Sequence, residues 1–216
     1  PGGMAVGNPV NPALGAKVLT GADELDFALP GPLPLAWQRV YSSYVNAEHG
    51  AACGLLGYGW KLPLELRLQL ESDRVVLFDA SGRAITFDEA LQPGQALYSS
   101  SEDLWLLRGG GMAGTNAVAT AAASIPEASS SPAPSSTPAE LLPWAQQPRW
   151  SHLPAVLRAD PGCVISVPGA GGAGAPAWVF LPAGVSGEHV LHAVIDRFGR
   201  SQRYQWGEEG EQQGRV

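Results

Sequence analysis

The sequence has 216 residues, of which 45% are hydrophobic and 15% charged, a balance that predicts an ordered chain with a buried core. Its net charge is −7 and its two lysines are Lys17 and Lys61, so there is no basic cluster to bind nucleic acid or an anionic membrane, and we expect neither contact. The 27 glycines and 19 prolines argue against a mainly helical fold.

The cysteines and the N-terminus carry no signal for metal binding or export. Cys53 and Cys163 lie far apart and fit no metal-ligand spacing, which favours two separate thiols but leaves their pairing open. No run of about 18 apolar residues occurs, and the opening PGGMAVGNPV lacks the charged and apolar regions of a signal peptide. Because the chain starts with Pro1, we interpret that residue as either a processed end or an artificial start.

Residues 1–36 are punctuated by proline and glycine and show little periodic structure. Within them the stretch LPGPLPL, residues 29–35, carries leucines on a stiff, extended backbone. We expect this stretch to lie along an apolar surface, since it is too rich in leucine for an exposed linker.

Strand signals begin at Trp37. In LPLELRLQLE, residues 62–71, leucine occupies every second position, which predicts a strand with its leucines on one face and Glu65 on the other. Short turns then connect this strand to RVVLFD and RAITFDE as a three-stranded meander. Further strands are predicted at residues 37–44, 95–99, 104–107, 163–167, 177–181, 189–196 and 200–206. The predicted fold class is all-β, built from antiparallel meanders.

Residues 109–140 interrupt the strand pattern. They are small, polar and rich in proline, serine and alanine, and they cannot bury enough apolar area to offset the entropy of ordering. We interpret them as a flexible low-complexity insertion within a β-domain.

None of the candidate reactive motifs predicts a catalytic, cofactor or metal site. GAGGAG, residues 169–174, matches a dinucleotide fingerprint, but a strand follows it instead of the required helix, which indicates a glycine loop. His189 and His192 are three apart, so a strand would put them on opposite faces, as ordinary surface or edge histidines. The carboxylates cluster at Asp23, Glu24 and Asp26, at Asp88 and Glu89, and at Glu102 and Asp103, a pattern typical of solvated turns that leaves general acid–base work as an alternative.

One turn occurs twice, in DASGRAITF and DRFGRSQRY. An aspartate can bond the amides that follow it, a glycine can adopt positive φ, and the arginine then starts the return strand. An aromatic ring follows four residues after the arginine, which favours a repeat over chance. The predicted repeat-turn residues are Asp79, Gly82, Arg83 and Phe87, then Asp196, Gly199, Arg200 and Tyr204.

Four stretches, in this order, resemble the start of the Rhs (rearrangement-hotspot) or YD-repeat core: GNPVNPALGAKVL, DFALPGPLPLAWQRVYSS, GLLGYGWKLPLELRL and VVLFDASGRAITF. The likeness covers residues 7–108, and the closing DRFGRSQRYQW is similar to a first YD-type repeat. The family's aspartyl self-cleavage motif is absent, so no protease residue carries over to this chain.

The resemblance implies a structural role. Rhs proteins are large bacterial polymorphic toxins whose repeats wind a β-strand shell, a hollow cocoon, around a variable C-terminal toxin. Many carry an upstream PAAR-like spike-tip part for type VI secretion, and some cleave themselves on both sides of the shell, with which a processed end at Pro1 is consistent. The residues expected to pack and close the shell are Leu29, Pro30, Pro32, Leu33, Pro34, Leu35, Trp37, Tyr41 and Trp60.

This reading divides the chain into four parts: an N-terminal plug or cap (1–36), the shell start (37–108), the insertion (109–140), and strands leading into the first YD-type repeat (141–216). By resemblance, the partners are the remainder of the same polypeptide, the spike-tip fragment, the secretion spike and a chaperone. The protein would reside in the bacterial cytoplasm before its secretion into a target cell.

Three hypotheses follow. The first is a shell segment that encapsulates a toxin and has no catalysis of its own. The second is a module that docks the spike or a chaperone through its proline-rich start. The third is a hydrolase that uses the carboxylate clusters, and it ranks last because no nucleophile and base are paired.

Overall fold

The computed structural model describes residues 10–11, 16–19, 25–49, 53–80, 82–110, 142–169 and 175–207. Within these ranges antiparallel strands dominate, and the helical elements are short: α1 (Ala155–Ala159) and 3₁₀ turns at Ala47–His49, Trp144–Gln146 and Pro148–Trp150. The strands are β1 (Val10–Asn11), β2 (Ala16–Leu19), β3 (Leu25–Leu29), β4 (Leu35–Gln38), β5 (Val40–Ser42), β6 (Trp60–Lys61), β7 (Arg67–Leu70), β8 (Val75–Phe78), β9 (Ala84–Phe87), β10 (Ala96–Ser99), β11 (Leu104–Arg108), β12 (Val164–Pro168), β13 (Ala177–Pro182), β14 (Glu188–Ile195) and β15 (Ser201–Arg203). The all-β prediction is confirmed.

The largest sheet runs in the order β10-β11-β12-β13-β14-β7-β8-β9, so its centre joins strands from both sides of residues 109–140. Strand β14 pairs with β13 along one edge, while its other edge is shared. The first half of that edge pairs with β7, and the second half pairs with β15. The sheet therefore forks at β14. Strands β1-β2-β5-β6 form a second sheet, and β3 and β4 form a separate hairpin.

The large sheet buries side chains on both faces. In β12, Val164 belongs to one hydrophobic cluster and Ile165 to another, as strand alternation requires. The first cluster is lined by the leucines of residues 62–68 and by β8, β11 and β14. The second is covered by Trp144, Trp150 and Leu153, which follow the insertion in sequence. The segment after residue 141 therefore covers this second face of the sheet.

The predicted strand over residues 62–71 is wrong in its first half. Strand β7 starts at Arg67, and residues 62–65 form a turn in which the Glu65 N–H donates to the Leu62 carbonyl at 3.0 Å. All four leucines from Leu62 to Leu68 are nevertheless buried, because the turn places the same side chains on the core. The alternation detected burial correctly but not backbone conformation.

Several sequence-based expectations fall outside the described residues. Residues 111–140 of the insertion and Pro1 are among them, so their interpretations stay predictions. Gly169 is the last described residue before residues 170–174, and strands β12 and β13 flank that glycine run and pair with each other. Before Trp37 the chain holds more strand than predicted: β3 and β4 pair across the proline-rich stretch, which forms their connection.

Candidate functional site

The first repeated turn is closed by the Asp79 carboxylate. Its Oδ1 accepts the backbone N–H of Arg83 at 2.9 Å, and its Oδ2 accepts Nε of the same arginine at 3.2 Å. The Gly82 N–H donates to the Asp79 carbonyl at 2.9 Å, with Gly82 at φ 81°. Arg83 also reaches Glu102 at 2.6 Å, and these two bonds, the one to Glu102 first, raise the pKa of Arg83.

The second turn repeats the bonds between aspartate and arginine that close the first. Asp196 accepts the N–H of Arg200 at 2.9 Å and its Nε at 2.5 Å, and Gly199 lies at φ 79°. One further bond comes from the Phe198 N–H at 2.9 Å. Asp196 is buried, which by itself raises its pKa, but the bonds from Arg200 and Phe198 outweigh burial and lower it. Each turn is therefore closed by hydrogen bonds and an ion pair between its aspartate and the arginine four residues later.

The aromatic residue after each turn contacts one hydrophobic cluster. Phe87 is buried in the cluster that contains the leucines of residues 62–68, and Tyr204 packs against it from the side. Burial raises the pKa of Tyr204, so its phenol stays neutral. Its N–H donates to the His192 carbonyl at 2.8 Å, which holds the chain after β15 onto β14.

A groove of about 510 Å³ lies beside the first turn, at the fork of the sheet, where β14 and the chain from Gln202 to Tyr204 also line it. Asp79 contributes from the first turn, and Gln202 and Tyr204 contribute from the strand after the second. The proline-rich hairpin supplies residues 34–37, and the rest of the lining is mainly apolar. This groove is where the sequence-predicted closing residues and repeat-turn residues meet.

The proline-rich connection is fastened to the far end of the chain at this groove. Gln202 Nε2 donates to the Leu33 carbonyl at 2.9 Å, a contact between residues 169 apart in sequence. Leu33 and Trp37 pack against the same hydrophobic cluster as Tyr204. The hairpin loop is therefore held by one hydrogen bond and by two apolar side chains.

Other predicted closing residues lie elsewhere. Tyr41 and Trp60 belong to the four-stranded sheet, where their rings pack 4.9 Å apart. Leu29 is 56% exposed at the end of β3, and the loop prolines Pro30 and Pro32 are exposed as well. These five residues do not line the groove.

Sequence reasoning missed the role of Glu65. It is only 4% exposed, and its carboxylate accepts the N–H of Leu62 at 2.9 Å and of Leu55 at 3.1 Å. Lys61 Nζ lies 3.7 Å from the same carboxylate. Glu65 thus joins the loop before β6 to the turn that leads into β7. The sequence contained one indication of this role, the proline at position 63, which interrupts the apparent strand.

Known proteins include one family and two toxins that are similar to this chain. Residues 7–87 match the family described as a domain of unknown function, DUF6531. Over 206 residues, 95% of this chain, the sequence is 34% identical to Toxin protein Tse5 of Pseudomonas aeruginosa. Over 106 residues, 49% of this chain, it is 39% identical to Double-stranded DNA deaminase toxin A of Burkholderia cenocepacia strain H111. The chain belongs to the Rhs polymorphic toxin family.

The Rhs chain is short beside these relatives. The aligned region spans 12% of Tse5 and 7% of the deaminase toxin, so it corresponds to a small part of each. Among the described residues, no helix has the length and apolarity to cross a membrane.

Two carboxylates from the predicted acidic clusters of the Rhs chain make local contacts. Asp26 pairs with Arg39 at 2.6 Å, and Asp103 accepts the Tyr98 hydroxyl at 2.7 Å, a bond that raises the pKa of Tyr98. Asp23 and Glu24 lie outside the described residues. No group of three metal-ligating side chains occurs in the described ranges.

The prediction of surface or edge histidines is wrong for His189. Its ring is buried in the middle of the large sheet, with Nδ1 3.0 Å from the Gly187 carbonyl and Nε2 3.1 Å from the Gly162 carbonyl. Burial lowers the pKa of His189, although the hydrogen bonds to these two carbonyls act to raise it. The ring joins two turns that the sequence separates, so the signal for its burial was not local.

The two cysteines are free thiols in different environments. Cys53 is exposed, whereas Cys163 is fully buried in the second hydrophobic cluster, with Trp144 and Trp150. Burial, followed by the nearby charge of Asp160, raises the pKa of Cys163 to about 12. The preference for separate thiols over a bridge agrees with this arrangement.

Proposed function

We propose that this Rhs chain forms the start of a β-strand shell and closes it around a toxin carried by the same polypeptide. The observation that carries the proposal is the hydrogen bond from Gln202 to the Leu33 carbonyl, which holds the proline-rich hairpin at the groove beside the first turn. A loop that is hydrogen-bonded to a residue 169 positions later in the chain is suited to sealing a shell. The chain itself would perform no catalysis.

The free edge of β15 suits this role. Within the described residues, β15 pairs only with β14, so its other edge offers backbone donors and acceptors to a further strand. We propose that the turn at Asp196 opens the repeat array, that the remainder of the polypeptide pairs onward from it, and that residues 1–36 act as the plug. Loading through a spike-tip fragment, and secretion into a target cell, belong to the same proposal.

Protease protection of the full-length polypeptide tests closure. In Gln202→Glu a carboxylate faces the Leu33 carbonyl, which repels the loop, so we expect faster digestion of the C-terminal toxin region under native conditions. Gln205→Glu introduces the same charge at an exposed neighbouring position and serves as the matched control. Equal protection in both variants would count against closure by this loop.

A second candidate function is docking, favoured by the apolar outer strand of the hairpin. Leu25, Phe27 and Leu29 are 44%, 46% and 56% exposed, a row of large side chains that would suit a spike or chaperone surface. Deletion of residues 1–36 separates the two functions. Loss of toxin retention with intact secretion loading supports closure, and the reverse result supports docking.

A further inference from the structure

The large sheet ends in two strands that face one groove. Within the described residues, β9 pairs only with β8 and β10 pairs only with β11, and these strands are the two ends of the sheet. A groove of about 430 Å³ is lined by Thr86 and Phe87 of β9 and by all four residues of β10. The sheet is thus interrupted where two free edges lie close together.

Backbone polarity shows which groups face the gap. In the β8–β9 hairpin the Asp79 N–H donates to the Arg83 carbonyl, and hydrogen-bonded pairs alternate from there, so Thr86 turns its N–H and carbonyl away from β8. In the β10–β11 hairpin the Arg108 N–H donates to the Gln95 carbonyl, so Ala96 and Tyr98 turn theirs away from β11. All three residues line the groove.

The groove is polar and acidic. Hydroxyls of Thr86 and of residues 99–101 line it, together with the exposed side chains of Asp88 and Glu89. Three basic side chains near the groove are already engaged. Arg74 bonds Glu71 at 2.7 Å, although the charge of Asp88 reaches it, and Arg83 bonds Asp79 and Glu102. Arg149 lies over the ring of the lining residue Trp105 at 4.7 Å and donates to Gln147. An occupant that brings its own cation would complete this charge pattern.

We propose that this gap binds an extended basic segment of a partner protein, which adds a strand to β10 and places a lysine or arginine against Asp88 and Glu89. Ala96 and Tyr98 would supply the backbone hydrogen bonds, as in β-strand addition. Charge argues against two other occupants. Residues 111–140 of this chain contain no lysine or arginine, and a second copy carries a net charge of −7.

The test uses the 216-residue chain and a capped hexapeptide of alternating valine and lysine. We expect the peptide to slow hydrogen exchange of the Ala96 and Tyr98 amides by about tenfold, as measured by NMR. Glu89→Lys should weaken binding by roughly tenfold, because it turns an attraction into a repulsion. Glu48→Lys makes the same change at another exposed position and should bind like the wild type.

Two further peptides make the proposal falsifiable without relying on any variant. A peptide in which every amide is N-methylated offers no N–H to β10 along either edge, and a valine–glutamate peptide carries the wrong charge, so neither should bind. Equal binding of either one would overturn the proposal. Slow exchange of the Ala96 and Tyr98 amides before any peptide is added would also overturn it, with dependence on protein concentration indicating a second copy and independence indicating a segment of this chain.

Discussion

Removal of the buried carboxylate of Glu65 should destabilise the fold by a calculable amount. Glu65→Ala leaves the N–H groups of Leu62 and Leu55 without their acceptor. Hydrogen bonds to a charged group contribute about 1.5–3 kcal/mol each, so the expected loss is about 3–6 kcal/mol. This figure counts the two hydrogen bonds alone, and Lys61, 3.7 Å from the carboxylate and mostly buried, also loses its partner.

The loss should appear as a fall in melting temperature. For a chain of this size, 1 kcal/mol corresponds to about 2–4 °C, so Glu65→Ala should melt roughly 6–24 °C below the wild type by calorimetry or circular dichroism. Glu48→Ala removes an exposed carboxylate and should change stability by less than about 0.5 kcal/mol. A loss below about 1 kcal/mol for Glu65→Ala would refute the assignment of this carboxylate as the fastening of the loop.

A double-mutant cycle with Gly54 sharpens the test. A Cβ at Gly54 would lie 2.6 Å from Glu65 Oε2 and 3.1 Å from the Trp60 carbonyl, so Gly54→Ala must displace the carboxylate. Once Glu65 is alanine, the closer of these clashes is gone. The two substitutions should therefore be less than additive, with a coupling of about 0.5–3 kcal/mol, and strict additivity would contradict the geometry.

Three further outcomes are expected. Under native conditions up to about pH 9 a thiol reagent should label Cys53 alone, because Cys163 is buried with a pKa near 12, and both should react after unfolding; native labelling of both would contradict the burial. The pKa of Asp196 is lowered from 3.8, so the stability that its ionised carboxylate gives the fold is complete above that value and is lost as the pH falls below it. The melting temperature of Asp196→Asn should therefore drop less in acid than that of the wild type. Gly199→Ala should lower the free energy of unfolding by about 1 kcal/mol because alanine disfavours a φ of 79°; no clash contributes, since nothing lies within 4 Å of an added Cβ. Gly199→Asn should lower it less, and denaturant unfolding measures both.

Local features of the fold could be predicted from the sequence. The turns at Asp79 and Asp196 could be anticipated because an aspartate, a positive-φ glycine and an arginine within five residues determine their own geometry. The meander of β7, β8 and β9 followed from period-two alternation and short connections.

Features that depend on distant partners could not be predicted. The division of one edge of β14 between β7 and β15 is set by packing across more than 100 residues, as the bond from Arg67 to Glu188, 121 residues apart, illustrates. Glu65 and His189 were misjudged for the same reason, because the backbone groups that satisfy them are contributed by turns that fold around them. Burial of a polar side chain depends on partners that a local pattern does not contain.

The bond between Gln202 and Leu33 also imposes an order in time. Synthesis proceeds at about 5–20 residues per second, so the 169 residues between the two partners take roughly 8–34 s to be made. During that interval the residues of β3 and β4 lack the hydrogen bond from Gln202, and their large apolar side chains are accessible to other surfaces. Leu33 is therefore made well before Gln202, which binds it, and any partner that meets the hairpin during synthesis acts before the groove closes.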